Sequence, residues 1–232
     1  MVENFRASGH AARIDGLHFH NHHASRSFQP LQASVSHIET HLPELVRRIA
    51  WVNLGGGYLF SETRDLEPLQ QVVEHIRNQW GAQVFFEPGK AIMEETGFLV
   101  ASVIDTFVSD GRTIAVLDTS VNHLPEVFEY QTRPALLDEQ TDGDRIVTLA
   151  GCTCLSGDLF GEYRFARPPA IGDRVAFRNV GAYSLIKASR FNGHNLPSIH
   201  ALGTDGAVQL LKVYGYEDYH RQWGDRPPQP AG

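Results

Sequence analysis

The chain has 232 residues and a formal net charge of −7, with 42% hydrophobic and 20% charged residues. That length holds one large domain or two small ones, and the balance is that of an ordinary soluble globular fold. The negative charge argues against nucleic-acid backbone binding, which wants a basic face; no apolar run approaches the roughly 18 residues of a membrane span, and MVENFRASGH lacks the apolar stretch of a secretion signal.

In chain order, DGLHFH (15–20) reads as a short strand. Leu31, Val35, Ile38, Leu42, Leu45 and Ile49 follow at spacings of three and four, which predicts a helix, and Pro43 breaks it in two. AWVNL (50–54) is a second strand. Leu66, Leu69, Val73, Ile76 and Trp80 mark a second amphipathic helix, with Thr63 or Asp65 as its N-cap. QVFFE (83–87) is a third strand, read as buried. Residues 15 to 90 therefore run β-α-β-α-β, the signature of a parallel sheet.

After about residue 96 the pattern changes. FLVASVIDTFVSDGRTIAVLDTS reads as two long strands joined at Ser109-Asp110-Gly111, and RIVTLAG, RVAFRNV and VQLLKVYGY continue the β pattern. The expected architecture is α/β plus β: a parallel β/α part over 1–95, then a mostly antiparallel β-rich domain over 96–232. The tail from about 224, DRPPQPAG, is expected to be disordered.

In parallel β/α layers and barrels, active sites sit at the C-terminal ends of strands. The three strands end in His18 and His20, in Gly55-Gly56-Gly57, and in Glu87. A glycine triplet lets backbone N–H groups approach an anion such as a phosphate, although a tight turn accounts for the same residues. A carboxylate at the end of a buried strand costs several kcal/mol unless something pairs with it. Pyridoxal phosphate wants both features, a phosphate cup and a carboxylate facing its ring nitrogen. The only cysteines, Cys152 and Cys154, lie too close for an ordinary disulfide and suit a reducing cytoplasm. His18 and His20 point the same way from one strand, so a metal-dependent amidohydrolase is a remote alternative.

GLHFH, WVNLGGGY, EPGKAI, AVLDTS with HLPEVFEY, AGCTCLSGD and AYSLIKASRFNGHNLPSI occur in this order over most of residues 15 to 200. Together they resemble the pyridoxal-phosphate-dependent decarboxylases of the alanine-racemase fold type, and among these the carboxynorspermidine decarboxylases. The resemblance implies the later portion of a TIM-type β/α barrel followed by a β domain. It implies that His20 stacks on the cofactor ring, that Gly55, Gly56 and Gly57 hold the phosphate with Tyr183, and that Glu87 pairs with the pyridine nitrogen. Cys154 would return a proton after carbon dioxide leaves, and Glu126, Asp158 and Lys90 would meet the substrate. The loop from Cys152 to Asp158 enters a partner subunit's site in the family's homodimers.

Two departures qualify the resemblance. Lys90 stands after EPG, where carboxynorspermidine enzymes carry an acidic residue that faces a substrate amine. The lysine that carries the cofactor in the family lies before the HFH segment, and none of Lys90, Lys187 and Lys212, the chain's three lysines, matches it. The reading therefore expects a trimmed relative, a partner chain supplying the first barrel half, or a catalytically dead subunit that dimerises with a complete decarboxylase.

Overall fold

The structure is a computed structural model and describes residues 14–60, 62–93, 95–140, 142–181 and 183–224. The C-terminal stretch expected to be disordered falls almost entirely outside them. Contacts divide the chain into two compact units, Met1–Met93 and Glu94–Gly232. No helix among the described residues is long and apolar enough to cross a membrane.

The first unit runs β1 (Gly16–His18), α1 (Gln29–His41), α2 (Pro43–Val46), β2 (Trp51–Asn53), α3 (Glu67–His75), β3 (Gln83–Phe85) and α4 (Lys90–Met93). Its strands form a parallel sheet in the order β1-β2-β3. Pro43 opens α2 after Leu42 leaves helical geometry at φ −131°, ψ 48°, so the break falls where the proline ring demands it. Leu31 and Val35 of α1 and Leu45 and Ile49 are buried, and they pack with Phe28, Val52, Leu54 and Tyr58 into one core.

The second helix departs from its predicted face in two respects. Val72, not Val73, is buried, and Leu66 is exposed as the N-cap. A π-type turn over Ile76–Trp80 follows α3, and Val72, Ile76 and Trp80 share the buried side at spacings of four. Gly81 ends it in the left-handed region at φ 66°. Neither predicted cap residue is the N-cap. Asp65 Oδ1 accepts from Glu67 N at 3.0 Å from one position further out, while the Thr63 hydroxyl donates back to the Leu59 carbonyl.

The second unit holds β4 (Leu99–Ser109), β5 (Arg112–Leu117), α5 (Glu126–Tyr130), β6 (Arg145–Ala150), β7 (Leu159–Phe165), β8 (Arg174–Phe177), α6 (Ser184–Lys187), β9 (Ile199–Leu202), β10 (Val208–Lys212) and α7 (Tyr216–Gln222). Asp110 and Gly111 both take positive φ, 49° and 75°, between the paired Ser109 and Arg112. That is the two-residue turn whose twist matches the flanking strands, and Asp-Gly tolerates it. The five-stranded sheet runs β7-β6-β5-β4-β8 and is antiparallel except between β5 and β6. Val103, Ala115, Leu117, Val147, Leu149, Phe160, Tyr163 and Phe177 form its core. β9 and β10 make a separate antiparallel pair.

Candidate active site

The register of the parallel sheet sorts its side chains into rows. Gly16, Trp51 and Gln83 align in one row, and His18, Asn53 and Phe85 in the next. Backbone bonds continue the ladder past the strands: Phe19 N to Asn53 O at 3.1 Å, Leu54 N to Phe85 O at 2.9 Å, and Glu87 N to Gly55 O at 2.9 Å. By strand alternation the next row on that face is His20, Gly55 and Glu87. Leu17, Phe19, Val52, Leu54, Val84 and Phe86 alternate onto the other face, against the helices.

The glycine triplet lets three chain segments converge. A Cβ on Gly56 would sit 2.2 Å from the Glu87 carbonyl oxygen and 3.5 Å from His20 Cε1. A Cβ on Gly55 would meet Phe19 O at 2.5 Å, and one on Gly57 would meet His22 O at 2.0 Å. The ends of β1, β2 and β3 thus meet in a space that no side chain at these positions leaves open.

Glu87 stands in a different environment from the expected one. Its side chain is 48% exposed, as is that of His18, and Phe85 and Trp51 on the same face are exposed as well. A carboxylate in contact with water avoids the desolvation cost that buried placement carried. One oxygen is anchored, with Asn53 Nδ2 donating to Glu87 Oε1 at 2.8 Å. The other, Oε2, lies 3.4 Å from His18 Nε2 and 3.9 Å from His20 Nδ1, beyond good hydrogen-bond geometry. Asn53 also accepts the Gly55 amide on Oδ1 at 2.9 Å, so it ties the glycine loop to Glu87. Sequence reasoning passed over Asn53, although a polar residue inside the apolar WVNL, just before the glycines, was the available signal.

Behind the glycines, His22 and Tyr58 pack ring to ring at 4.9 Å. Burial, then the neighbouring His20, lowers the His22 pKa, and burial raises that of Tyr58. His22 Nε2 and the Tyr58 hydroxyl are buried without a partner among the described residues.

The second unit gathers the other candidates. Asp158, expected to meet substrate, is instead a buried pin. Its Oδ1 accepts from Ser120 Oγ (3.1 Å) and Val121 N (2.8 Å), and its Oδ2 from Thr153 N (3.1 Å) and Thr153 Oγ1 (2.5 Å). With both oxygens engaged inside the chain, it fixes the cysteine loop to the segment after β5 and has no lone pair to spare for a ligand amine. Cys152 and Cys154 are both exposed on that loop. Cys152 Sγ lies 3.8 Å from His194 Nε2, and burial is the main cause that raises its thiol pKa. His194 stacks at 5.0 Å on the buried His123, whose Nδ1 bonds the Thr119 hydroxyl at 2.8 Å. Burial, then His194, lowers the His123 pKa from 6.5 to about 4.

Glu126 opens α5 and receives the Ser184 hydroxyl on Oε1 at 3.0 Å, while its Oε2 is buried without a partner among the described residues. Tyr183 is half exposed, with Lys187 Nζ 5.6 Å from its ring centroid. Lys187 pairs with Glu129 and Lys212 with Asp218. Lys90 is exposed at the start of α4. The structure thus brings His20, Gly55, Gly56, Gly57 and Glu87 to one end of the first unit's sheet, and Glu126, Tyr183 and the cysteine loop occur in the second unit.

These residues fit pyridoxal phosphate in chemistry. An anchored carboxylate whose second oxygen makes only long contacts suits a protonated ring nitrogen, and side-chain-free backbone at a strand end suits a phosphate. A metal centre at His18 and His20 finds less: no cluster of three His, Cys, Asp or Glu side chains among the described residues is placed to hold an ion.

Comparison with known proteins agrees. A carboxynorspermidine/carboxyspermidine decarboxylase of Herminiimonas arsenicoxydans is 32% identical over 209 residues, 89% of this chain and 56% of the relative. A carboxyaminopropylagmatine decarboxylase of Synechocystis is 35% identical over 199 residues, 84% of this chain and 51% of the relative. The crystal structure of carboxynorspermidine decarboxylase from Campylobacter jejuni, complexed with norspermidine, superposes with a TM-score of 0.86 at 30% identity, covering 95% of this chain and 64% of that one. Diaminopimelate decarboxylase from Methanocaldococcus jannaschii, at 21% identity and a TM-score of 0.73, shares the fold, covering 91% of this chain and 52% of that one. The chain spans about half the length of the curated relatives it matches. Residues 19–181 match the family described as pyridoxal-dependent decarboxylase, C-terminal sheet domain, and the chain belongs to that family.

Proposed function

We propose that these residues form the later barrel strands and the sheet domain of a pyridoxal-phosphate-dependent decarboxylase. Its substrate is an amino acid with an amine-bearing tail, of the carboxynorspermidine kind. The observation that carries this reading is Glu87: one oxygen anchored by Asn53, the other held only by the long contacts to His18 and His20, at a strand end closed by Gly56. The cofactor, when bound, supplies an electron sink that accepts the charge left by departing carbon dioxide. Glu87 would hold a proton at the ring nitrogen, His20 would lie against the ring, and the backbone of Gly55 to Gly57 would receive the phosphate, a role the resemblance gives to Tyr183 as well. Cys154 returns a proton to the substrate carbon, from a loop whose shape Asp158 maintains. Glu126, with one oxygen unpaired, takes a substrate ammonium.

The lysine that carries the cofactor is assigned to polypeptide beyond these 232 residues, in cis or in a partner chain, because Lys187 and Lys212 are engaged in ion pairs and Lys90 follows the EPG turn. The assembly is a homodimer, or a heterodimer with a complete relative, working in the cytoplasm. The same lack of a matching lysine favours a second reading, a catalytically dead subunit that lends its cysteine loop to a complete partner.

Lys90 sets the substrate's far end. Two like charges about 4 Å apart cost about 4 kcal/mol at an effective dielectric near 20, so Lys90 turns preference from long polycations toward a shorter tail. The test is carbon dioxide release from carboxynorspermidine by the chain reconstituted with the preceding barrel half. The Lys90→Glu variant should raise turnover of that substrate; an unchanged preference removes Lys90 from the pocket. No release from any amine-tailed amino acid, with the cofactor attached, contradicts the function itself.

A further inference from the structure

Two short helices of the second unit meet in a matched way. Glu126 and Glu129 lie three residues apart on α5, hence on one face, as do Ser184 and Lys187 on α6. Ser184 donates to Glu126 Oε1, and Lys187 Nζ donates to Glu129 Oε2 at 2.5 Å. Lys187 Nζ is also 3.4 Å from the Tyr130 hydroxyl and lies over the Tyr130 and Tyr183 rings, 5.2 and 5.6 Å from their centroids. A carboxylate, a phenol oxygen and two ring faces are the partners that a ligand's ammonium would choose. Here the chain's own side chain holds that place. Next to it, Glu126 Oε2 is buried with no partner among the described residues, which favours the arrival of a charged donor.

We propose that Lys187 fills an ammonium-binding position built by Glu129, Tyr130 and Tyr183, and thereby limits how many positive charges the adjoining Glu126 accepts from an amine ligand. The inference rests on the reading that Glu126 takes a substrate ammonium. Two carboxylates and one lysine leave one unit of negative charge, which matches a single ammonium at Glu126. Without Lys187 two carboxylates one helical turn apart stand open, a separation that a three-carbon link between two amines can bridge. Lys187 is thus a specificity-determining residue, selecting against a ligand that brings a second charge to this face.

The test uses the 232-residue chain, propylamine and 1,3-diaminopropane as probes, and the Tyr130 and Tyr183 ring resonances as the readout, with circular dichroism checking each variant's fold. In the wild type the two amines should bind within about threefold of each other, the second charge gaining only what an exposed pair gains. Lys187→Met should favour the diamine by roughly tenfold, through the vacated carboxylate and ring faces. Lys187→Arg, which keeps the charge, should restore the wild-type ratio, and adding Glu129→Gln to Lys187→Met should abolish the gain. An unchanged ratio in Lys187→Met, or a gain that survives Glu129→Gln, overturns the inference, as does failure of both chains to bind either amine. Loss of wild-type propylamine binding in Glu126→Gln supports the underlying reading. Unaltered binding in that variant, with the Lys187→Met gain intact, sinks the reading of Glu126 and leaves the position at Glu129 standing.

Discussion

Asp158→Asn isolates the role of the buried carboxylate from that of a substrate contact. The wild-type side chain takes four hydrogen bonds, two from backbone amides (Val121 and Thr153) and two from hydroxyls (Ser120 and Thr153). Asparagine keeps the volume but replaces one acceptor oxygen by an NH2 group. The hydroxyls can rotate away from it; a backbone N–H cannot. Whichever way the amide is turned, Val121 N or Thr153 N faces a donor. An unsatisfied buried N–H costs about 1–3 kcal/mol, and the loss of charge assistance on the remaining bonds about 1 more. The variant should therefore lose about 2–4 kcal/mol, and Asp158→Ala, which removes all four bonds, should lose more. Hydrogen exchange at residues 119–123 and 151–158 reads this locally, which matters because two units need not unfold together. Thiol modification rates at Cys152 and Cys154 should rise in parallel as the loop loosens. Wild-type protection together with wild-type thiol rates would refute the pin and return Asp158 to the substrate.

The close approach at Gly56 gives a second prediction. Gly56→Ala puts a Cβ 2.2 Å from the Glu87 carbonyl and must displace that strand end, costing about 1–3 kcal/mol and weakening pyridoxal-phosphate affinity. Gly81→Ala, at φ +66° with nothing within 4 Å, should cost about 1 kcal/mol of backbone strain and leave affinity unchanged. Equal affinities would argue against the cradle. His123 titrates near 4 in the fold against 6.5 for a free imidazole, so the unfolded chain binds the extra proton. Its contribution is complete above pH 6.5 and is lost as pH falls toward 4, by at most about 3 kcal/mol. His123→Gln should flatten that limb of a denaturation-versus-pH profile, and an unaltered limb would assign it to other groups. Cys154→Ala in the reconstituted enzyme should slow product formation or misdirect the proton while cofactor binding persists; full product yield at the wild-type rate removes the thiol from that step.

Much of the fold was legible because its signals are local. The apolar stripe from Leu31 to Ile49, the break at Pro43 and the Asp110-Gly111 turn each follow from spacing or dihedral preference within a few residues. The meeting of His20, the glycines and Glu87 followed from one topological rule about strand ends. What escaped depends on contacts distant in sequence. Nothing in the alternation of β5 and β6 reveals that they run parallel, because a side-chain period does not name its neighbour. The exposure of Glu87 depends on what covers that face of the sheet, and its apolar neighbours Val84, Phe85 and Phe86 suggested burial. Asn53 had no assigned role, since its two bonds reach Gly55 and Glu87 only once the loops close. Asp158 looked available to a ligand because the motif does not show its four donors.

The central claim is that this chain carries the carboxylate and the phosphate cradle of a pyridoxal-phosphate site without the lysine that holds the cofactor. The measurement is borohydride trapping of residues 1–232 mixed with pyridoxal phosphate, read by peptide mass spectrometry, alone and after the preceding barrel half is supplied in cis or as a second chain. Alone, the chain should show no adduct at a single lysine and release no carbon dioxide from an amine-tailed amino acid. With the added half, a stoichiometric adduct should appear on the supplied segment, and release should begin. A stoichiometric adduct on Lys90 in the chain alone, with measurable release, would contradict the account.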